Sequence, residues 1–415
     1  MSQPIIRSRL TKLPRNIWAV TATSFLTDVS SEMVFNLLPL FLANVLGAKT
    51  AVIGLIEGLA ESTASLLKII SGRLSDKWHT RKNPTILGYT ISTLAKPLLY
   101  FATTQWGVLL IRFADRVGKG IRTAPRDALI ADSITPEQRG LAYGLHRAGD
   151  TAGAMLGILF ALGIVWSTQA GNLTLQHTTF QRVVLWSIIP ALLAVIILAI
   201  AAQDIPQSTH LQKQKQTTLS WKQLDNSFRR FLIIITLFTL GNSADAFLIL
   251  RAQERGLTVL GVLGMLATFN LVYALLSGPL GSLSDRVGRR QLIIGGWLVY
   301  AALYLGFALA QTAWQIWVLY GLYGIYYGAV EGTAKAFVAD LVKPEQRGTA
   351  FGLYNAAVGT AVLPANLIAG ILWQGIGSWS GFGPHTPFLF GATLALTALF
   401  LFQFWLPKQK LEEPA

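Results

Sequence analysis

The sequence predicts an all-α membrane protein in which twelve transmembrane helices form two pseudo-symmetric six-helix bundles. Three observations carry this. The chain of 415 residues is 52% hydrophobic and only 13% charged, with a mean hydropathy of +0.49, which does not fit an ordinary water-soluble chain. Apolar stretches close to the roughly 20 residues that a helix needs to cross the hydrocarbon layer recur from end to end. Two pairs of similar segments also repeat across the midpoint of the chain.

In order, the predicted spans are 17–45, 51–71, 84–103, 107–128, 141–166 and 183–202, then 231–250, 259–280, 291–311, 314–338, 349–373 and 386–406. The first follows Arg7, Arg9, Lys12 and Arg15 and is interrupted by Asp28 and Glu32. It lacks a small-residue cleavage site at a suitable distance and is expected to be retained. The fourth carries Arg112, Asp115, Arg116, Lys119, Arg122 and Arg126. It would score poorly on hydropathy alone, and the parity of the basic loops requires it.

With the amino terminus inside, 21 of the 34 Lys and Arg residues fall in inner segments, against 4 in outer loops: Lys49, Arg182, Arg251 and Arg255. This asymmetry places both termini in the cytoplasm of a multi-pass plasma (inner) membrane protein. Residues 167–181 read as an outer loop. The polar tract 203–230 reads as a cytoplasmic linker between one bundle, 1–202, and a second, 231–415, which includes a short tail. Pro39, Pro97, Pro125, Pro190 and Pro364, in or near spans, suggest local bends.

A net charge of +14 would suggest nucleic acid in a soluble protein, but basic loops at a lipid surface account for it, and no nucleic-acid partner is expected. Zero Cys excludes disulfides and thiolate metal sites. The sequence has no phosphate-binding GxxxxGK[ST] loop, no zinc-spaced His/Cys cluster and no Gly-x-Ser-x-Gly elbow. Enzyme activity, a cofactor and a metal are therefore not expected.

GRLSDKWHTRK begins at Gly72 and GSLSDRVGRRQ at Gly281, an offset of 209, while ADSITPEQRGLAYGL begins at Ala131 and ADLVKPEQRGTAFGL at Ala339, an offset of 208. Each pair lies in an inner loop after an even-numbered span, so the halves read as duplicated six-span units of the same topology. Gly72 and Gly281 would permit close helix approach. Asp76 and Asp285, at inner helix ends, could pair with basic residues or cap a neighbouring helix. The bland alternative is a topology signal with an incidental acid.

These segments resemble the signature of the major facilitator superfamily of secondary transporters: Gly, any, Leu, Ser/Ala, Asp, Arg/Lys, any, Gly, Arg, Arg/Lys. The second copy matches with Gly281, Leu283, Ser284, Asp285, Arg286, Gly288, Arg289 and Arg290. The first keeps Gly72, Leu74, Ser75, Asp76, Lys77 and Arg81, and has His79 and Thr80 where the family commonly has Gly and Arg. The resemblance implies that these loops act as an inter-helix latch, with Arg139 and Arg347 of the PEQRG segments as partners. It also implies a secondary transporter that works by alternating access within one chain.

Ionisable residues at membrane depth point to function. The basic residues of the fourth span recur at threes and fours along one stripe. Asp115 can pair with Arg112 and Lys119, leaving Arg116 comparatively free, so Arg112, Arg116 and Lys119 are candidate solute ligands, against a purely helix-tying role. The fifth span adds Arg147 as a further ligand candidate, His146 and Asp150 as candidate proton carriers, and Gly149, Gly153 and Gly157 as a packing ridge. Its GDTAGAMLG lacks the Gly-Pro motif of many proton-driven exporters in the family. Asp28 and Glu32, and Glu57 and Glu61, are carboxylate pairs one turn apart that suit proton pickup, Asp28 foremost. Asn242, Asp245 and Tyr323 are second-half ligand candidates, while Glu331 and Lys335 read as an internal salt bridge.

The expectation is thus a secondary active transporter of a small solute in a lipid membrane, functional as a monomer, with H+ as coupling ion and no cofactor. The first-half basic groups lean toward an organic anion or zwitterion. Alternatives are proton-antiport efflux of multiple drugs or amphiphiles, a lipid flippase, and a non-transporting membrane sensor or binding protein.

Overall fold

A computed structural model describes residues 13–78, 80–135, 138–205, 224–343 and 346–406. Most of the expected linker, His79 and the side chain of Asp285 lie outside the described residues. The described residues are helical throughout the spans and contain no strand. Bilayer physics requires this, because a helix satisfies every backbone N–H and C=O inside its own segment.

The first six helices are α1 (Arg15–Phe35), α2 (Thr50–Trp78), α3 (Lys82–Ala95), α4 (Gln105–Asp132), α5 (Arg139–Gln169) and α6 (His177–Ala201). After Phe35, α1 bends and continues through Leu38–Leu40 into a π-helical turn, Phe41–Val45, next to Pro39. Likewise α3 tightens into a 3-10 turn, Lys96–Phe101, where Pro97 cannot donate to the α-helical ladder.

The last six are α7 (Asn226–Gly241, resumed as Asp245–Glu254), α8 (Val259–Val287), α9 (Arg289–Leu309), α10 (Ala313–Asp340), α11 (Arg347–Gln374) and α12 (Thr386–Phe404). The seventh span, read as continuous from 231 to 250, is therefore broken at 242–244. Nine of these spans are long and apolar enough to cross a membrane on composition alone, among the described residues. The remaining three are α3, shortened by its turn; α4, loaded with charge; and α10, rich in Tyr and Gly. Twelve helical spans result, as the sequence predicts.

Within the first half α1 packs on α5 and α6, and α4 on α2 and α3. Within the second, α10 packs on α8 and α9, and α12 on α7 and α9; across the halves, α2 lies along α11 and α5 along α8. The α5 ridge works as expected. A Cβ on Gly149 would come within 2.8 Å of Thr21, one on Gly157 within 3.0 Å of Glu32, and one on Gly153 would meet the Phe25 carbonyl.

Ties across the halves concentrate at the end opposite the termini. There Asn44 and Gln253 exchange hydrogen bonds at 3.0 and 2.8 Å, Gln253 donates to the Leu173 carbonyl at 2.6 Å, and the Thr50 N–H donates to Gln374 at 2.7 Å. Toward the terminus-bearing end, open space surrounds Gly140 and Gly144 of α5, Gly278 and Gly281 of α8, and Gly348 and Gly352 of α11.

At that end the first half is closed by polar contacts. Asn16 on α1 donates to the Gln203 carbonyl at 2.9 Å and accepts from the Gln203 N–H at 2.8 Å. Asp204 accepts 2.8 Å hydrogen bonds from the Thr80 hydroxyl and the N–H groups of Arg81 and Lys82, capping α3. Burial pushes its carboxyl up, but those backbone and hydroxyl donors and the Lys82 charge outweigh it and hold the carboxyl below the ordinary range. The cap thus contributes at neutral pH and is lost as pH falls through the depressed value.

Two outcomes follow from the packing. Gly153→Val should destabilise by roughly 1–3 kcal/mol or more and reduce folded yield, whereas Gly163→Val, at a position with nothing near its Cβ, should change neither; yield and apparent Tm in detergent report this. Asp204→Asn should lower Tm at pH 7 by about 2 °C, and the gap from the parent should close as the pH drops below the carboxylate range. A gap independent of pH would remove the charged cap from this account.

Candidate functional site

The interior charges fall into two classes: those that hold helices together and those left open. Arg112 on α4 donates to Glu57 of α2 at 2.8 Å, with side chains only 5% and 8% exposed, and lies 3.9 Å from Asp115. Arg116 pairs with Glu61 of α2 at 3.3 Å and with Asp115 at 3.8 Å. Both guanidinium groups cover the ring of Phe35 on α1, at 4.0 and 5.4 Å from its centroid. Arg116 is therefore not free, correcting the sequence expectation. The reason lies between helices: α2 presents Glu57 and Glu61 one turn apart against the same stripe of α4.

Arg122 donates to Ser92 of α3 at 2.9 Å and lies 4.3 Å from the centroid of Tyr89. Arg126 pairs with Asp127 at 2.8 Å. Sequence reasoning overlooked Lys96, which is 1% exposed and donates at 2.9 Å to Ser30 and Ser31 of α1. The apolar run around it concealed it, although the Lys-Pro pair was a visible signal.

Four charged groups within the spans make no ion pair or hydrogen bond among the described residues: Asp28 of α1, Lys68 of α2, Lys119 of α4 and Asp245 of α7. Asp28 and Asp245 are part-exposed and Lys119 is exposed. Asp28 lies within electrostatic range of Lys119, Glu32 and Asp150, while Asp245 faces Glu32, Glu61 and Glu57 across the halves. Glu32 accepts from Asn36 at 2.9 Å. His146 sits 3.8 Å from Asp150, with both ring nitrogens unpartnered. The open groups thus include several carboxylates deep in the spans and two ammonium groups, Lys119 and, nearer the terminus-bearing end, Lys68; the deeper part suits a cationic moiety or protons.

Asn242 and Tyr323 take structural roles. Asn242 ends the first piece of α7, and its Oδ1 accepts from Tyr300, Tyr304 and Tyr323, each at 3.4 Å. Tyr323 is fully buried among aromatic rings, so it packs rather than lines a cavity. Across the break, Asn366 of α11 accepts the Ala244 N–H at 2.6 Å. Arg147, expected as a ligand, bridges the halves: it donates to Tyr273 of α8 and, at 3.1 Å, to Glu331 of α10. Tyr273 donates to Glu331 at 2.9 Å, and Lys335 pairs with Glu331 at 3.6 Å.

In the loop motifs Arg81 pairs with Asp76 at 2.6 Å and with Asp132 at 3.2 Å. Its counterpart is Arg289, paired with Asp340. The partner acids Asp132 and Asp340 were missed, though both stand in the repeated segments at the offset of 208. Arg290 caps the end of α12 through the carbonyls of Phe402, Gln403 and Leu406. Arg139 is exposed at the start of α5 and Arg347 donates to the Ala339 carbonyl at 3.3 Å, and among the described residues neither joins these pairs. Lys77 and Arg286 are exposed. Gly72 approaches Ala124 closely, at 3.2 Å for an added Cβ, but Gly281 faces open space. Gly288 has φ 93°, a conformation that suits glycine in this one-residue turn.

Glu57→Gln should strand the buried Arg112 charge and cost about 3 kcal/mol, while the double variant with Arg112→Gln should cost less than Glu57→Gln alone. Apparent Tm values of the three proteins test the pairing, and additive losses would argue against it.

The comparisons with known proteins bear on the family and the fold. The model of the Major Facilitator Superfamily matches residues 20–268 and 246–415. The chain is 35% identical to an uncharacterised MFS-type transporter of Methanocaldococcus jannaschii over 95% of both chains. It is 26% identical to multidrug resistance protein MdtG of Escherichia fergusonii over 92% of this chain and 88% of that one. The crystal structure of nucleoside transporter NupG superposes with a TM-score of 0.72 at 16% identity, covering 95% of this chain and all of that one (100%). The chain belongs to the major facilitator superfamily, and is an integral membrane protein of that transporter family.

Proposed function

We propose that this chain is a proton-coupled secondary transporter of a small zwitterionic organic solute. The observation that carries this is the division of interior charge: Arg112 and Arg116 are consumed by Glu57, Asp115 and Glu61, while Asp28, Lys119 and Asp245 stay open. A pure anion loses its support, because the stripe of arginines that favoured it is neutralised. A solute carrying both signs finds partners of both signs.

In this reading the bundles 1–202 and 231–415, joined by 203–230, rock about a central site, with the terminus-bearing end in the cytoplasm. Asp28 carries the coupling proton, with Glu32 beside it, and His146 and Asp150 lie on the route toward the terminus-bearing end. The loop pairs Arg81–Asp132 and Arg289–Asp340 stabilise one arrangement. The work is done by one polypeptide in a plasma membrane and needs no cofactor. A second reading, proton-driven efflux of a cationic amphiphile, draws on the similarity to MdtG and on the excess of open carboxylates.

The test is transport in proteoliposomes with a panel of zwitterionic, cationic and anionic solutes. Asp28→Asn should retain counterflow at about the parental rate but lose accumulation driven by a pH gradient. Unchanged pH-driven accumulation would remove Asp28 from coupling. Transport confined to lipophilic cations would favour the second reading.

A further inference from the structure

Arg147 and Lys335 are 55% and 56% exposed although both touch Glu331. A single carboxylate thus serves two cations whose side chains remain more than half exposed. On α2, Lys68 makes no hydrogen bond or ion pair among the described residues, and its charged neighbours are Asp127 and Arg126 of α4 and Lys335 of the other half. At 1.5 Å per residue, Lys335, Arg147 and Lys68 lie about 7, 12 and 15 Å from the terminus-bearing ends of their helices, whereas Asp28 lies about 20 Å in and Asp245 lies beyond the first piece of α7, which is about 24 Å long. The cations gather at the terminus-bearing mouth, and the open carboxylates lie deeper. Glu331 and Lys335 also line a cavity of about 190 Å³ with Asn242, Tyr326, Tyr327 and Tyr354.

We infer that Lys68, Arg147 and Lys335 form an anion-binding subsite at this mouth, shared by the two halves, which receives the carboxylate or other anionic group of the solute. Asp127, the nearest acid to Lys68, is paired with Arg126, so the three cations outnumber the one remaining carboxylate, Glu331, and like charge from opposite halves resists closing the mouth when it is empty. An anion between Lys68 and Lys335 neutralises that repulsion and adds attraction to both halves. Only a loaded mouth then closes readily, which is a requirement for coupled movement. Orientation follows: the anionic end sits toward the terminus-bearing side and the cationic end toward Asp28 and Asp245. This deepens the reading of a zwitterionic solute and rests on it, yet it concerns a distance in the purified protein rather than flux.

The chain contains no cysteine, so Gly144→Cys and Gly352→Cys, both in open space, accept spin labels without background. Electron–electron distance measurement should show the short-distance population rising about threefold in Lys68→Gln/Lys335→Gln, since exposed charge pairs contribute about 0.2–1 kcal/mol. The Lys68→Arg/Lys335→Arg control should keep the parental distribution. Sodium sulfate should shift the parent more than sodium chloride at equal ionic strength, and should not shift the neutralised variant. An unchanged distribution in the neutralised variant, or sulfate acting no better than chloride, overturns the subsite. Loss of proton-driven flux with the sulfate effect intact would instead overturn the transport reading alone.

Discussion

A charge at membrane depth must be given a counterion, and the fold is organised around meeting that demand for α4. Unpaired in hydrocarbon, Arg112 would cost several kcal/mol, so α4 can sit in the bundle only if α2 brings carboxylates to it. Glu57 and Glu61 do so, and Phe35 of α1 shields both guanidinium groups with its ring. Three helices are thereby set in register. The same pairing occupies both guanidinium groups, while Asp28, Lys119 and Asp245 make no ion pair or hydrogen bond among the described residues.

The two halves solve the same backbone problem differently. Close packing in the first half rests on small residues, with Gly149, Gly153 and Gly157 of α5 seated on α1. In the second half the break in α7 frees backbone groups, and side-chain amides of Asn242 and Asn366 serve the Tyr hydroxyls and the Ala244 N–H there. A broken helix at mid-depth gives Asp245 a place at a helix amino end facing the other half, which a continuous helix would not provide. Arg251, read as an outer-loop cation, is fully buried and holds the end of α9 through the carbonyls of Phe307, Ala308 and Ala310.

The duplicated loops show how a repeat is used after its copies diverge. Arg81–Asp132 and Arg289–Asp340 are the same bond made twice, at the offset of 208. The first copy spends three residues between α2 and α3, whereas the second spends one, Gly288, whose positive φ makes so short a turn affordable.

Periodicity and hydropathy determine the number of helices, their order and the pairing of the halves, because crossing a bilayer imposes a length and a composition on each segment independently of its neighbours. The charged stripe on α4 and the glycine ridge on α5 were legible for the same reason, being properties of one helix face. What each charge does was not legible. Arg116 looked free and is bound, Arg147 gave no sign that it joins the halves through Glu331 and Tyr273, and Lys96 went unnoticed in an apolar run. The break at 242–244 had only a Gly-Asn-Ser hint. These outcomes depend on which residue of another helix stands opposite, a relation that Coulomb energy and hydrogen bonding select only once the tertiary structure brings distant segments within a few ångströms.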